Sequence, residues 1–139
     1  ERALGYLSRR EYSRLELKRK LAPHADDEHE VESLLEDFAA RGWLSEARFA
    51  EQIVHARRSK YGAQRIAHEL KEKGVGADAV AAILPGLRES ELETARAVWA
   101  KKFGVLPQDA RERAKQMRFM MSRGFNSSTI GKVLQGSGD

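Results

Sequence analysis

The chain has 139 residues, 41% hydrophobic and 33% charged, with 25 Lys or Arg against 21 Asp or Glu, a formal net charge of +4 and no cysteine. A chain of that length and composition buries a core, and the missing thiols exclude a disulfide framework, a cysteine nucleophile and a thiolate metal site. No run approaches the ~20 apolar residues that span a bilayer, and Glu1-Arg2-Ala3-Leu4-Gly5 is not a signal-peptide start, so the expected location is a reducing cytoplasm.

Taken in chain order, every periodic segment reads as helix. The spacing predicts helices over 3–10, 13–22 and 27–41, the first as though its opening were cut short. Ser13 with Glu16 and Asp27 with Glu30 read as capping boxes. Helices over 45–60, 62–73 and 77–85 follow, with Phe49, Ile53 and Ala56 on one face. The last three are predicted at 89–103, 107–123 and 126–135, opened by a Ser90 and Glu93 box and by Pro107 in a first turn. Gly42, Gly74, Gly86, Gly104 and Gly124 sit where helices should stop. No segment alternates with period two, so the fold class is all-α.

The nine helices form three tandem units. Shifting the chain by 49 residues and then by 50 more aligns Leu4, Ile53 and Phe103; Leu21, Leu70 and Met120; Val31, Val80 and Ile130; Leu34, Ile83 and Val133; and Leu35, Leu84 and Leu134. The expected repeats are 1–44, 45–88 and 89–139, stacked in an elongated, curved array. Such arrays present extended binding surfaces rather than closed reaction pockets. Trp43, Trp99, Phe38, Phe103, Phe119 and Phe125 are expected at helix seams.

Charge is uneven along this scaffold. Residues 1–48 hold 9 basic against 11 acidic side chains, 49–98 hold 8 against 7, and 99–139 hold 8 against 3. Arg9, Arg10, Arg14, Lys18, Arg19 and Lys20 gather around the second helix, with Glu16 and Lys20 spaced to pair, while seven carboxylates from Asp26 to Asp37 crowd the third. The basic excess of the last two units suits an acidic or nucleic-acid partner.

Other chemistry is poorly supported. Lys71-Glu72-Lys73-Gly74-Val75 and Met121-Ser122-Arg123-Gly124-Phe125 resemble the turns of helix-turn-helix DNA readers. The helix after the first offers Asp78-Ala79-Val80-Ala81-Ala82-Ile83-Leu84, with no side chain suited to base edges. Asn126-Ser127-Ser128-Thr129 is at most a phosphate contact. His24 and His29 near Asp26, Asp27 and Glu28 read as a polar loop rather than a metal site, and His55 and His68 fall in no catalytic motif. No enzyme, cofactor or metal is expected.

Gly42-Trp43-Leu44-Ser45-Glu46-Ala47-Arg48-Phe49, then Arg57-Arg58-Ser59-Lys60-Tyr61-Gly62-Ala63-Gln64-Arg65-Ile66 and Glu69-Leu70-Lys71-Glu72-Lys73-Gly74-Val75, closely resemble the RecX family of bacterial regulatory proteins. Ser13-Arg14-Leu15-Glu16-Leu17 with Lys18-Arg19-Lys20-Leu21 is similar to the family's first unit, and Lys101-Lys102-Phe103-Gly104, Arg118-Phe119-Met120 and Arg123-Gly124-Phe125 to its third. The resemblance implies three tandem three-helix repeats. It also implies a monomeric regulator that binds the RecA recombinase, chiefly as its filament on single-stranded DNA, and suppresses its ATPase, strand-exchange and coprotease activities. A clamp in the filament groove and a block on filament growth both fit, and weak binding to single- or double-stranded DNA would accompany either. A non-specific nucleic-acid-binding helical array is the competing reading. The expected partner contacts are Arg57, Arg58, Lys60, Arg65, Lys71, Lys73, Lys101, Lys102, Arg118 and Arg123, with Glu46 and Arg48 holding the junction between the first two units.

Overall fold

The computed structural model describes residues 2–135; Glu1 and residues 136–139, which open the first expected repeat and close the third, lie outside the described residues. Among the described residues there are nine α-helices, one 3-10 turn and no strand. They are α1 (Arg2–Leu7), α2 (Arg14–Leu21), α3 (Glu28–Ala40), α4 (Glu46–Arg57), α5 (Ala63–Glu72), α6 (Ala77–Glu89), α7 (Glu91–Lys102), α8 (Ala110–Ser122) and α9 (Ser127–Leu134), with the 3-10 turn at Ala22–His24.

Capping follows the sequence in part. Ser13 and Glu16 form the full box at α2. Asp27 caps α3 by accepting from the His29 N–H, without the reciprocal bond expected of Glu30. Ser45, Asp109 and Asn126 cap α4, α8 and α9 through Arg48, Glu112 and Thr129 N–H groups. Thus α8 starts three residues after Pro107, because Asp109 supplies an acceptor that Pro107 cannot. Gly42, Gly74, Gly104 and Gly124 take φ of 77°, 87°, 71° and 90°. Behind three of them the Trp43, Val75 and Phe125 N–H groups return to the Phe38, Leu70 and Met120 carbonyls, the bond that closes a Schellman cap.

The largest departure is at α6. It runs through Pro85 and Gly86 to Glu89, and Ser90 alone separates it from α7. Gly86 is therefore no terminator. Ser90 caps nothing with its side chain, because its Oγ lies 3.4 Å from the Leu87 carbonyl behind it.

Each group of three helices has its own hydrophobic cluster. Leu17, Leu21, Val31, Leu35 and Phe38 form the first; Phe49, Ile66, Leu70, Val75 and Val80 the second; Met120, Phe125, Ile130, Val133 and Leu134 the third. The aligned columns Leu21/Leu70/Met120 and Val31/Val80/Ile130 are buried in all three. The column Leu4/Ile53/Phe103 is not core: Leu4 is exposed, and the other two are half-buried. Trp43 is also on the surface, 42% exposed between Phe38 and the Arg41 guanidinium. Trp99, Phe103 and Phe119 are half-buried, the Trp99 indole donating to Gln116 Oε1 at 2.8 Å.

Successive repeats dock in the same way. The glycine turn closing the middle helix of one repeat lies on the start of the middle helix before it. Gly74 meets Leu15 so closely that a Cβ on it would come within 2.8 Å of the leucine Cβ. Fifty residues on, Gly124 lies against Arg65 and Gly62, whose N–H donates to the Arg123 carbonyl at 2.8 Å. The first residue of the leading helix also repeats its role. Glu46 Oε2 accepts from the Gly76 N–H at the start of α6, and Glu91 Oε2 from the Asn126 N–H at the start of α9, both at 3.2 Å.

Candidate functional site

The side chains expected to meet a partner divide by what they touch. Arg57, at the end of α4, forks onto Glu69 of α5 with Nε–Oε1 at 3.0 Å and Nη2–Oε2 at 3.2 Å. Lys73 completes that cluster, 3.3 Å from Glu69 and 3.6 Å from Glu16 of the preceding repeat. The Arg57 hydrogen bond, above all, holds the Glu69 carboxyl below the usual range, and Glu69 in turn raises the Arg57 guanidinium. These two cations are neutralised within the fold. Arg48 spans the first junction, donating to Glu11 Oε2 at 2.9 Å and to the Gly42 carbonyl at 2.7 Å. Glu46, expected to share that role, ties α4 to α6 instead.

Two cations of the first repeat, Arg14 and Lys18, are neutralised likewise. Arg14 binds Glu32 and Glu36, and Lys18 binds Glu28 and Glu32, zipping α2 to α3. The Lys18 hydrogen bond, followed by that of Arg14, lowers the Glu32 carboxyl. Glu16 pairs with Arg10 and Lys73 rather than Lys20. Three carboxylates of the acidic run, Glu28, Glu32 and Glu36, are thus partners of the basic one. Among the described residues no group of three or more His, Cys, Asp or Glu side chains converges as a metal site.

Six of the other eight expected contacts gather at the junction of the second and third repeats. Lys60 follows α4, Lys101 and Lys102 end α7, and Arg123 caps α8; together with Ala97, Val98 and Phe119 they line a cleft of about 520 Å³. Arg58 lines an adjoining hollow that shares Ser59 and Ala97. The spacing of Thr94, Ala97, Val98 and Lys101 along α7 makes this one face of one helix. A ladder of rings and cations links the repeats: Lys102 and Arg123 lie over Phe119, and Arg123 and Arg65 over Tyr61 at 5.3 and 4.2 Å. Arg65 also donates to the Ser122 carbonyl at 2.9 Å. Lys60, Lys101 and Lys102 form no ion pair among the described residues and are exposed. Lys71 and Arg118 are exposed but outside the cleft.

Four of the ten expected contacts thus line one basic cleft with an apolar floor. The sequence reading missed the floor, because Phe119 and Val98 resemble core residues until their exposure is known. It also missed Glu91 and Gln116, both buried; a carboxylate and an amide within helical runs carry no mark of burial.

Family models match two segments: residues 45–84 fit the second three-helix domain of RecX and residues 89–134 the third. The chain is 52% identical to the regulatory protein RecX of Ralstonia nicotianae over 98% of its own length and 86% of that protein. The chain belongs to the RecX family. It is likewise 53% identical to the RecX protein of Leptothrix cholodnii over 96% of this chain and 85% of that one. The crystal structure of RecX from Lactobacillus salivarius superposes with a TM-score of 0.79 at 19% identity, covering 96% of this chain and 90% of that one. A second RecX crystal structure gives 0.83 at 22%, covering 96% and 70%. These structures share the RecX fold of three-helix repeats, and the chain is of a regulatory family. Among the described residues no helix is long and apolar enough to cross a membrane.

Proposed function

We propose that this chain binds the RecA recombinase and its filament on single-stranded DNA, inhibiting RecA ATPase, strand exchange and coprotease activity. The observation that carries the reading is membership of RecX together with a basic cleft whose cations the fold leaves unneutralised. Lys60, Lys101 and Lys102 project from two repeats onto one surface, so an acidic partner engages both repeats at once. Contacts made together along a rigid array add without a further cost of association. The chain acts as a cytoplasmic monomer, by binding rather than by chemistry, with no cofactor, and the filament is either clamped along its groove or blocked at its growing end.

The test is a titration of RecA filament ATPase with the wild type and with Lys60→Ala/Lys101→Ala/Lys102→Ala. Inhibition by the triple variant should need about tenfold more protein while its melting stays unchanged, since exposed charges contribute little to folding. Identical inhibition curves would remove the cleft from the mechanism. Equal affinity for filament and naked single strand, with the same salt slope near −0.7 per phosphate neutralised, would favour a generic nucleic-acid-binding array.

A further inference from the structure

The connector between α7 and α8 differs from its counterpart one repeat earlier. The α4–α5 connector is residues 58–62 and carries Arg58-Ser59-Lys60; the α7–α8 connector is residues 103–109 and carries the uncharged run Gly104-Val105-Leu106-Pro107-Gln108. Its two aliphatic side chains face solvent, Val105 at 65% and Leu106 at 36%. Exposed aliphatics on a mobile loop would mean little. This loop is held. Gln116, 2% exposed, donates through Nε2 to the Val105 carbonyl at 3.0 Å while its Oε1 accepts from the Trp99 indole at 2.8 Å. Gln108 donates to the Leu106 carbonyl, Gly104 makes the turn at φ 71°, and Asp109 anchors the far end on α8.

A buried amide that fixes the backbone beneath two exposed aliphatics describes a pre-organised apolar knob. Its setting indicates what it fits. Phe103, beside Val105 on the same wall, packs edge-to-face on Phe119 with ring centroids 5.5 Å apart, and Phe119 lines the basic cleft. That ring pair joins the knob to the cleft, and Lys101 and Lys102 immediately precede Phe103 in the chain. The two carboxylates beside the knob, Asp109 and Glu112, accept from the Glu112 N–H and from Gln116 Nε2. We propose that Val105 and Leu106 insert into an apolar recess, rimmed by carboxylates, on the surface of the partner protein. The inference rests on the RecA-filament reading and assigns the knob to protein rather than DNA. A sugar-phosphate backbone offers no apolar recess, whereas carboxylates around one would match the two lysines.

The experiment measures binding of the full chain to RecA filaments on a single-stranded oligonucleotide and to the naked oligonucleotide, at low and high salt. Wild type, Val105→Ser/Leu106→Ser and Lys60→Ala/Lys101→Ala/Lys102→Ala are compared, with sedimentation of each alone. The aliphatic pair is exposed, so the double variant should fold as the wild type does. Its filament affinity should fall about tenfold at both salts with the slope unchanged, because lost apolar burial releases no counterions. Its affinity for the naked strand should not change. The lysine variant should instead flatten the salt slope. Unaltered filament binding by the double variant, while the wild type binds, overturns the knob alone; a wild type that does not bind filament overturns the parent reading with it. An equal loss on the naked strand would assign the knob to DNA, and a wild-type dimer abolished by the double substitution would assign it to a second copy; either overturns the proposal.

Discussion

Glu91 Oε1 accepts the Ala63 N–H at 2.9 Å across the junction of the second and third repeats. Ala63 opens α5 behind Gly62, an N-cap with no side chain to offer. In the first repeat the equivalent position is Ser13, whose hydroxyl does cap its helix. Gly62 cannot carry one, because a Cβ there would collide with the Gly124 carbonyl and come within 2.7 Å of the Phe125 nitrogen. The close approach of two repeats excludes the local cap, and a carboxylate 28 residues away replaces it while also holding Asn126.

Glu91→Ala should therefore destabilise the protein well beyond the loss of a surface charge. Two backbone donors, one of them buried, would be left without a partner, and the sum is about 2–4 kcal/mol. Glu91→Gln, which keeps one acceptor oxygen, should lose about half as much. Urea unfolding monitored by circular dichroism measures both, and a neutral Glu91→Ala would contradict the assigned role.

Two glycines, one at a helix start and one within a helix, should respond oppositely to alanine. Gly62→Ala forces the junction apart and should cost about 2 kcal/mol or more. Gly86 lies inside α6, where a Cβ meets nothing within 4 Å. Alanine there should stabilise by about 0.5–1 kcal/mol through helix propensity. Paired thermal melts compare the two.

Adjacent arginines should separate stability from partner binding. Arg57→Ala breaks the fork onto Glu69 and should cost about 1 kcal/mol or less, given the exposure of the pair, with little change in RecA inhibition. Arg58→Ala with Lys60→Ala should leave melting alone and weaken inhibition several-fold. Melts and ATPase titrations on the same preparations decide it; the reverse pattern would move the interface to the Glu69 cluster.

Acid should loosen the second repeat through Glu69. Its folded pKa is depressed by Arg57 and then Lys73, so its contribution is fully present above the unfolded carboxylate value and is lost as pH falls through the folded one. The window lies below about pH 4.5. Stability measured from pH 7 down to about pH 3 should fall less steeply for Glu69→Gln than for the wild type, and parallel curves would show that the pair contributes nothing.

Helices, their number and the centre of each repeat's core were legible in the sequence, because periodicity, caps and glycine stops are local and the columns Leu21/Leu70/Met120 and Val31/Val80/Ile130 recur at one spacing. The basic excess of the later repeats was legible as composition. Which cations are available was not. Arg57 and Lys73 look identical on paper to Lys60 and Lys102, yet the first two face Glu69, 12 and 4 residues away along the chain, while the others face solvent. The same holds for Gly86, Ser90 and Pro107, whose letters suit an end or a start that neighbouring residues override. Local pattern fixes what each segment forms by itself. Pairing of charges, burial of Glu91 and Gln116, and the cleft across two repeats depend on which helix surfaces meet, and only packing in three dimensions decides that.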